Sequence, residues 1–455
     1  MSADSTRILA IGDMHLGRAP ARVAGVCDLL GRSLADLGPG AAWARSVEEA
    51  LARRVDAVLL AGDLVDSENA RFEAWGQLQR GVERLHAGGI PVLAVAGNHD
   101  VAVLPRLAAH LPGLTLLGAD GRWQSAIVGG DAGGGGAGGG DAGGGAGGGP
   151  PVEVVGWSFP RSHVTTSPLA ESLPPGDVPV AARLGLLHAD LDASGSRYAP
   201  VSRAELANAP VQGWLLGHIH RPDLAPPGGG TLQVCGYLGS VVGLDPSETG
   251  PHGPWLLTVT RGGTIAAEHL PLAPLRWERT ALATDEWHDP ERDLEREVPA
   301  RLDEILAAAA GPADVVAAVT LELDGRCRDL DSVEAAAARL AGDLPPRHRG
   351  QATAFLAAIQ VRARPAWDLT RLARHEDLPG LLARRLLELE AGEPAAQDLL
   401  DRAVGTLRER ALAPQFAGHT LPDPGPAEVR ERLLRAGFRA LDRLLRQKEG
   451  ERATA

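Results

Sequence analysis

Residues 90–100 read "IPVLAVAGNHD": an uncharged apolar run, opened by Pro91, stops at Gly97 and is followed at once by Asn98, His99 and Asp100. A short Val/Leu/Ala run bounded by Pro and Gly has the composition of a buried strand. Polar side chains just past its end suit an open α/β sheet, where ligands collect outside the carboxyl ends of the strands. The pattern recurs along the chain. "ILAIGDMH" (8–15) ends in Asp13 and His15, "VLLAGDLVD" (58–66) in Asp63 and Asp66, "LGLLHAD" (184–190) brings His188, and "WLLGHIH" (214–220) brings His218 and His220. A lone DxH, GD or HxH is commonplace, but apolar strands that all finish in Asp, Asn or His predict one convergent metal site. Carboxylate, amide and imidazole donors together suit Mn, Fe or Zn better than Ca or a thiolate-bound metal. His86, His110, His163 and His252 fall in no such pattern and read as ordinary surface or core histidines.

The chain around these motifs has 455 residues, too many for one ordinary core, so two or three domains are expected. Hydrophobic residues make up 44% and charged residues 23%, the balance of a soluble globular protein. Neither a secretory leader in "MSADSTRILAIGD" nor an 18-residue apolar run is found, which sets the expectation of a cytoplasmic protein without a membrane segment. Cys27, Cys235 and Cys327 are too few and too scattered for a disulfide framework or a CxxC metal site. The net charge of -13 excludes a positively coated protein, yet a local basic groove could still meet nucleic acid. Lys448 is the only Lys, so Arg carries the positive charge; a coding bias is the first reading of this and Arg-rich DNA binding the second.

Residues 1–270 alternate apolar runs with helical patterns and read as an α/β domain, its sheet becoming mixed or antiparallel after about residue 114. Within it, residues 129–149 are nearly all Gly, Ala and Asp and read as a flexible insertion lengthening the turn of a hairpin made by "RWQSAIV" and "PVEVVGW". Residues 271–365 mix helices with the strands "DVVAAVTLEL" and "TAFLAAIQVRA", a small α+β domain; residues 366–455 are helical and read as a partner-docking region. In the last helix, Val429, Leu433, Ala436, Ala440, Leu441 and Leu444 should share one face, free to dock on a partner or packed on its own domain.

The set DxH, GDxxD, GNHD, His and GHxH resembles the signature of the calcineurin-like metallophosphoesterases. Over about residues 7–275 the chain is most similar to SbcD-type DNA repair exonucleases, carried by "RYAPVSRAELANAPVQGWLLGHIHRP" and "YLGSVVGLDPSETGPHGPW". Leu238 departs from the pattern, since the family commonly has Pro there. The resemblance implies an α/β, two-sheet metallophosphoesterase sandwich flanked by helices, with a small α+β capping domain and C-terminal helices. It implies two divalent ions, Mn foremost with Fe, Zn or Mg also fitting: one on Asp13, His15, Asp63 and His220, the other on Asp63, Asn98, His188 and His218. Asp63 would bridge them, and the pair would activate a hydroxide against a phosphodiester. His99 would stabilise or protonate the departing oxygen, with Asp66 orienting its imidazole. The implied function is a DNA exonuclease and endonuclease acting in repair with an SbcC-like coiled-coil ATPase, with DNA as substrate and a homodimer as an admitted assembly. The alternatives are a class III cyclic-nucleotide or other small phosphodiesterase, and a non-catalytic scaffold on the same fold.

Overall fold

The computed structural model describes residues 4–66, 71–130, 148–176, 178–226, 232–309, 314–411 and 425–454. These divide into two compact units, one of residues 1–278, 304–319 and 345–357, the other of 279–303, 320–344 and 358–455. Segment 271–365 contributes residues to both units.

The first unit is built on two facing sheets. Eleven strands supply them: β1 (Ser5–Ile11), β2 (Ala57–Ala61), β3 (Val92–Val95), β4 (Leu114–Leu116), β5 (Gln124–Val128), β6 (Val152–Trp157), β7 (Ala182–His188), β8 (Gly213–Gly217), β9 (Val234–Tyr237), β10 (Trp255–Thr260) and β11 (Ile265–His269). One sheet runs β11-β10-β1-β2-β3-β4, the other β5-β6-β7-β8-β9. In the first, β1 to β4 are parallel, with Ile8 opposite Ala57 and Val58 opposite Val92, while β10 closes antiparallel on β1. In the second, β6 to β9 are also parallel, so only its β5 edge is antiparallel. The second half is thus mixed, as expected, with its parallel part at β6–β9. Parallel neighbours need crossovers, and here these are mostly irregular segments with the short helix Arg203–Asn208, which leave no helical periodicity to read.

Alternation within each strand decides the layers. Ile8, Ala10, Leu59, Ala61, Leu93 and Val95 face inward and meet Val152, Val154, Leu184, Leu186 and Leu215 of the other sheet. The intervening Leu9, Ile11, Leu60 and Ala94 face outward against Trp43, Val47, Leu78 and Val82 of helices Pro39–Arg53 and Arg71–Ala87. Strands covered on both faces read as continuous apolar runs, which is why "AVLLA" has no polar position. Each fully buried Leu or Val contributes roughly 1.5–3 kcal/mol. Strands β5 and β6 form the expected hairpin, Val128 facing Val152, and Gly130 N–H donates to Gly149 O at 2.8 Å. Most of the Gly-rich insertion, residues 131–147, lies outside the described residues.

In the second unit, helices Leu378–Ala391 and Pro426–Thr454 pack together through Leu386, Leu389, Leu434, Phe438 and Leu441. The stripe expected on the last helix is turned. Val429 and Leu441 are buried, as are Leu434 and Phe438, but Ala436 and Ala440 are exposed. The larger side chains bury more apolar area per residue, so they set the face and the alanines yield it. This apolar face is accordingly spent within the unit. Among the described residues no helix is long and apolar enough to cross a membrane.

Candidate metal centre

The carboxyl ends of β1, β2 and β3 lie side by side in one sheet, and those of β7 and β8 in the other. Every sequence-predicted ligand follows or ends one of these strands. Two glycines let them converge. A Cβ on Gly97 would stand 2.1 Å from Asp63 Oδ1, and one on Gly217 would stand 2.0 Å from Ala61 O, so no larger residue fits either position.

Backbone bonds lock the ligand-bearing turns together. Asp63 O accepts from Met14 N–H and His15 N–H at 3.1 and 2.9 Å, tying the DxH turn to the GD turn. The two sheets are joined at the site itself. His218 N–H lies 3.0 Å from both carboxylate oxygens of Asp13, and His188 Nδ1 lies 3.0 Å from Ala61 O. His15, Asp63 and His218 hold positive φ angles of 46°, 50° and 104°. Such backbone costs about 1–3 kcal/mol per residue and persists only where the surroundings impose it, which is common at working sites.

Asp13, His15 and His220 offer ligand atoms within 4.8 Å of one another, as do Asp13, Asp63 and His188. Asn98 Oδ1 lies 3.0 Å from His188 Nε2, and the His218 ring stands edge-on to His188 at 5.2 Å. All seven expected ligands are thus gathered, with Asp13 within reach of both groups. His99 donates its backbone N–H to Asp63 Oδ1 at 2.9 Å, its exposed ring edge-on to His15 at 5.3 Å. Asp66 is buried and lies 3.5 Å from Arg18 Nε.

Burial dominates the electrostatics. It lowers His15 to about 3, against the pull of Asp63, and lowers His218 to about 4, with His188 adding to the fall. Burial alone would raise Asp63, but His188 and His15 outweigh it and hold the carboxyl below its ordinary value. Burial would likewise lower His188, yet the carboxylates of Asp63 and Asp13 raise it.

A divalent cation fits this donor set. His188 Nδ1 donates to the Ala61 carbonyl, so in the neutral ring Nε2 is the bare nitrogen, and it stands 3.0 Å from the Asn98 oxygen. With the ring neutral, these two acceptors can share a cation. His15 Nδ1 is buried and has no hydrogen-bond partner, while its Nε2 stands 3.1 Å from His220 Nε2. Thiolates do not contribute, since Cys27, Cys235 and Cys327 are free and buried, and burial pushes Cys235 up to about 11 and Cys327 up to about 12.

Sequence reading missed three acids. Asp100 is wholly buried and accepts Leu64 N–H at 2.7 Å and Gly97 N–H at 2.8 Å, clamping the GD and GN turns. Asp190 lies 3.2 Å from His218 Nε2, and Glu248 lies 2.7 Å from His220 Nδ1. Asp190 stands two residues after His188, a signal that could have drawn notice; Glu248 lies in the stretch "GLDPSETGPHG" that carries the resemblance, but nothing there ties it to His220. His252, read as ordinary, is buried with Nε2 at 3.2 Å from Glu248 O, beneath the Glu248 loop.

Residues 6–222 match the family model of the calcineurin-like phosphoesterases, and that segment is a calcineurin-like metallophosphoesterase domain. The chain is 26% identical over 243 residues to the uncharacterized metallophosphoesterase YhaO of Bacillus subtilis, covering 53% of this chain and 54% of that one. It is 37% identical over 94 residues to the DNA double-strand break repair protein Mre11 of Aeropyrum pernix, covering 21% of each. The matched region thus spans about half of the first relative and a fifth of the second. Among solved structures, a protein of Thermus thermophilus is 14% identical, with 58% of this chain and 98% of that one covered, at a TM-score of 0.31. A dimetal phosphatase from Danio rerio is 14% identical at the same coverage, with a TM-score of 0.33.

Proposed function

We propose that the chain is a divalent-metal phosphodiesterase whose substrate is DNA, cut at ends and within single strands, in repair alongside an SbcC-like coiled-coil ATPase. The observation that carries the phosphodiesterase reading is the gathering of Asp13, His15, Asp63, Asn98, His188, His218 and His220 at the shared carboxyl edge of two sheets. Two divalent cations, when bound, would neutralise the phosphodiester and make water a competent nucleophile near neutral pH; Mn, Fe and Zn all suit these donors, with Mn put first on the motif resemblance. Without positive charge, the Asp13 and Asp63 carboxylates would repel an anionic substrate. Asp13, His15, Asp63 and His220 would hold one cation, and Asp63, Asn98, His188 and His218 the other. His99 is exposed beside Asn98, with its backbone anchored on Asp63, which supports the reading that its imidazole gives a proton to the departing oxygen.

The choice of DNA draws on the motif resemblance and on the match to a break-repair protein over 94 residues. The ATPase partner is proposed on the same resemblance, and would dock on a surface other than the buried face of the last helix. A small-phosphodiesterase reading draws on the same signature, which lies within the matched residues 6–222. Purified full-length chain on end-labelled duplex and single-stranded DNA, with and without Mn, and on cyclic nucleotides in parallel, tests the proposal. Mn-dependent release of nucleotides from DNA is expected; turnover of cyclic nucleotides alone would replace the DNA reading.

A further inference from the structure

His218 and His220 are one residue apart, yet each points a different ring nitrogen at a carboxylate outside the signature. His220 Nδ1 lies 2.7 Å from Glu248 Oε1, and His218 Nε2 lies 3.2 Å from Asp190 Oδ1. A carboxylate only accepts, so each of these nitrogens must carry a proton, and in the neutral ring the other nitrogen is left bare. We infer that Glu248 and Asp190 are positioning residues that set opposite tautomers on the two histidines, leaving Nε2 of His220 and Nδ1 of His218 as the metal-facing atoms. The inference deepens the metal reading above and rests on it for the identity of what those nitrogens face.

The arrangement answers a reach problem. Nδ1 stands nearer the backbone than Nε2, so opposite tautomers let two closely spaced histidines serve positions at different depths. His218 is held close by its backbone N–H on Asp13 at φ 104°, and His220 reaches past to within 3.1 Å of His15 Nε2. Both carboxylates are themselves held. Glu248 Oε2 accepts Leu244 N–H at 2.8 Å, and Asp190 accepts the Ser196 hydroxyl. Outer carboxylates of this kind fix ring orientation and commonly matter roughly 10–100-fold in metal affinity.

Glu248→Gln is a sharp test because Glu248 accepts two N–H groups. Gln offers one acceptor and one donor; the Leu244 N–H cannot change sides, so the Gln oxygen takes it and the amide N–H₂ is turned to His220 Nδ1. His220 must then move its proton to Nε2, the nitrogen meant for metal. The experiment labels histidine with ¹⁵N in the full chain and reads tautomers by long-range ¹H–¹⁵N correlation, with chelator present, at a pH where the rings are neutral. A second arm titrates Mn into the same proteins by calorimetry. Expected are Nδ1–H on His220 and Nε2–H on His218 in the wild type, a switched His220 in Glu248→Gln, unchanged His188 signals as evidence of fold, and Mn affinity lowered roughly 10–100-fold. Asp190→Asn, read the same way at His218, serves if Glu248→Gln does not fold. Wild-type His220 protonated at Nε2, or a variant with unchanged tautomer and affinity, overturns the inference. A wild type with the expected tautomers that binds no Mn would instead support the tautomer assignment and overturn the metal reading.

Discussion

Replacing Asp100 with Asn should destabilise the first unit by about 2–6 kcal/mol although it alters no proposed ligand, since it leaves two buried N–H groups unsatisfied. Asp100 is wholly buried and accepts two backbone N–H groups, from Leu64 at 2.7 Å and Gly97 at 2.8 Å. Asn has nearly the same shape, so no cavity opens, but one of its two positions becomes a donor facing a donor. One backbone N–H and one amide N–H are then left unsatisfied in the interior, at about 1–3 kcal/mol each. Against a typical total of about 5–15 kcal/mol this is a large fraction. The measurement is urea unfolding in the presence of chelator, followed by the fluorescence of the buried Trp43 and Trp214, so that bound metal does not enter. Burial, reinforced by Asp63, pushes the Asp100 carboxyl up to about 7, while the two N–H bonds pull it down. A protonated acid would already carry one donor and lose little on becoming Asn. A change under about 0.5 kcal/mol at pH 8 would therefore refute the double-acceptor clamp.

Asp63→Asn and His220→Ala should each abolish metal binding and phosphodiester cleavage together; full occupancy by elemental analysis in Asp63→Asn would contradict the bridging assignment. His99→Ala should keep its metal content and lose roughly 100-fold or more in rate, and a parallel fall in metal content would make His99 a ligand instead. Deleting residues 131–148 should leave folding and cleavage nearly intact, since Gly130 already bonds Gly149; a large loss of activity would expose a role for the insertion. Truncation after Pro424 should lower the melting temperature, because it removes Leu434, Phe438 and Leu441 from one apolar cluster and Val429 from another, and an unchanged melting curve would count against that packing.

The ligand strands were legible because their chemistry is local: a strand buried on both faces has no polar position to spare, so "LAVAGNHD" and "LLAGDLVD" announce where burial ends. The hairpin flanking the glycines was legible from another local signal, two strand-forming runs on either side of a Gly-rich turn. What escaped were relations set by distant parts of the chain. Nothing around Glu248 marks it as the partner of His220, because the loop that delivers it is placed by β9 and β10 packing elsewhere in the fold. Parallel pairing of β6 to β9 was hidden by crossovers with little helix. On the last helix, periodicity admitted more than one face, and only the volumes of Leu434 and Phe438 against their neighbours decide between them.

The delivery of ligands by both sheets has a mechanical consequence. In the unfolded chain the donors are strewn from Asp13 to His220, so any cation that gathers them acts as a cross-link closing long loops, whose entropy cost rises only slowly with length. Its binding energy then becomes cohesion between the sheets: at a free concentration roughly 100 times the dissociation constant the folded form gains about 2.7 kcal/mol. Metal supply would therefore govern how long the protein lasts as well as how fast it works, and a starved cell would hold a looser sandwich that proteases open sooner.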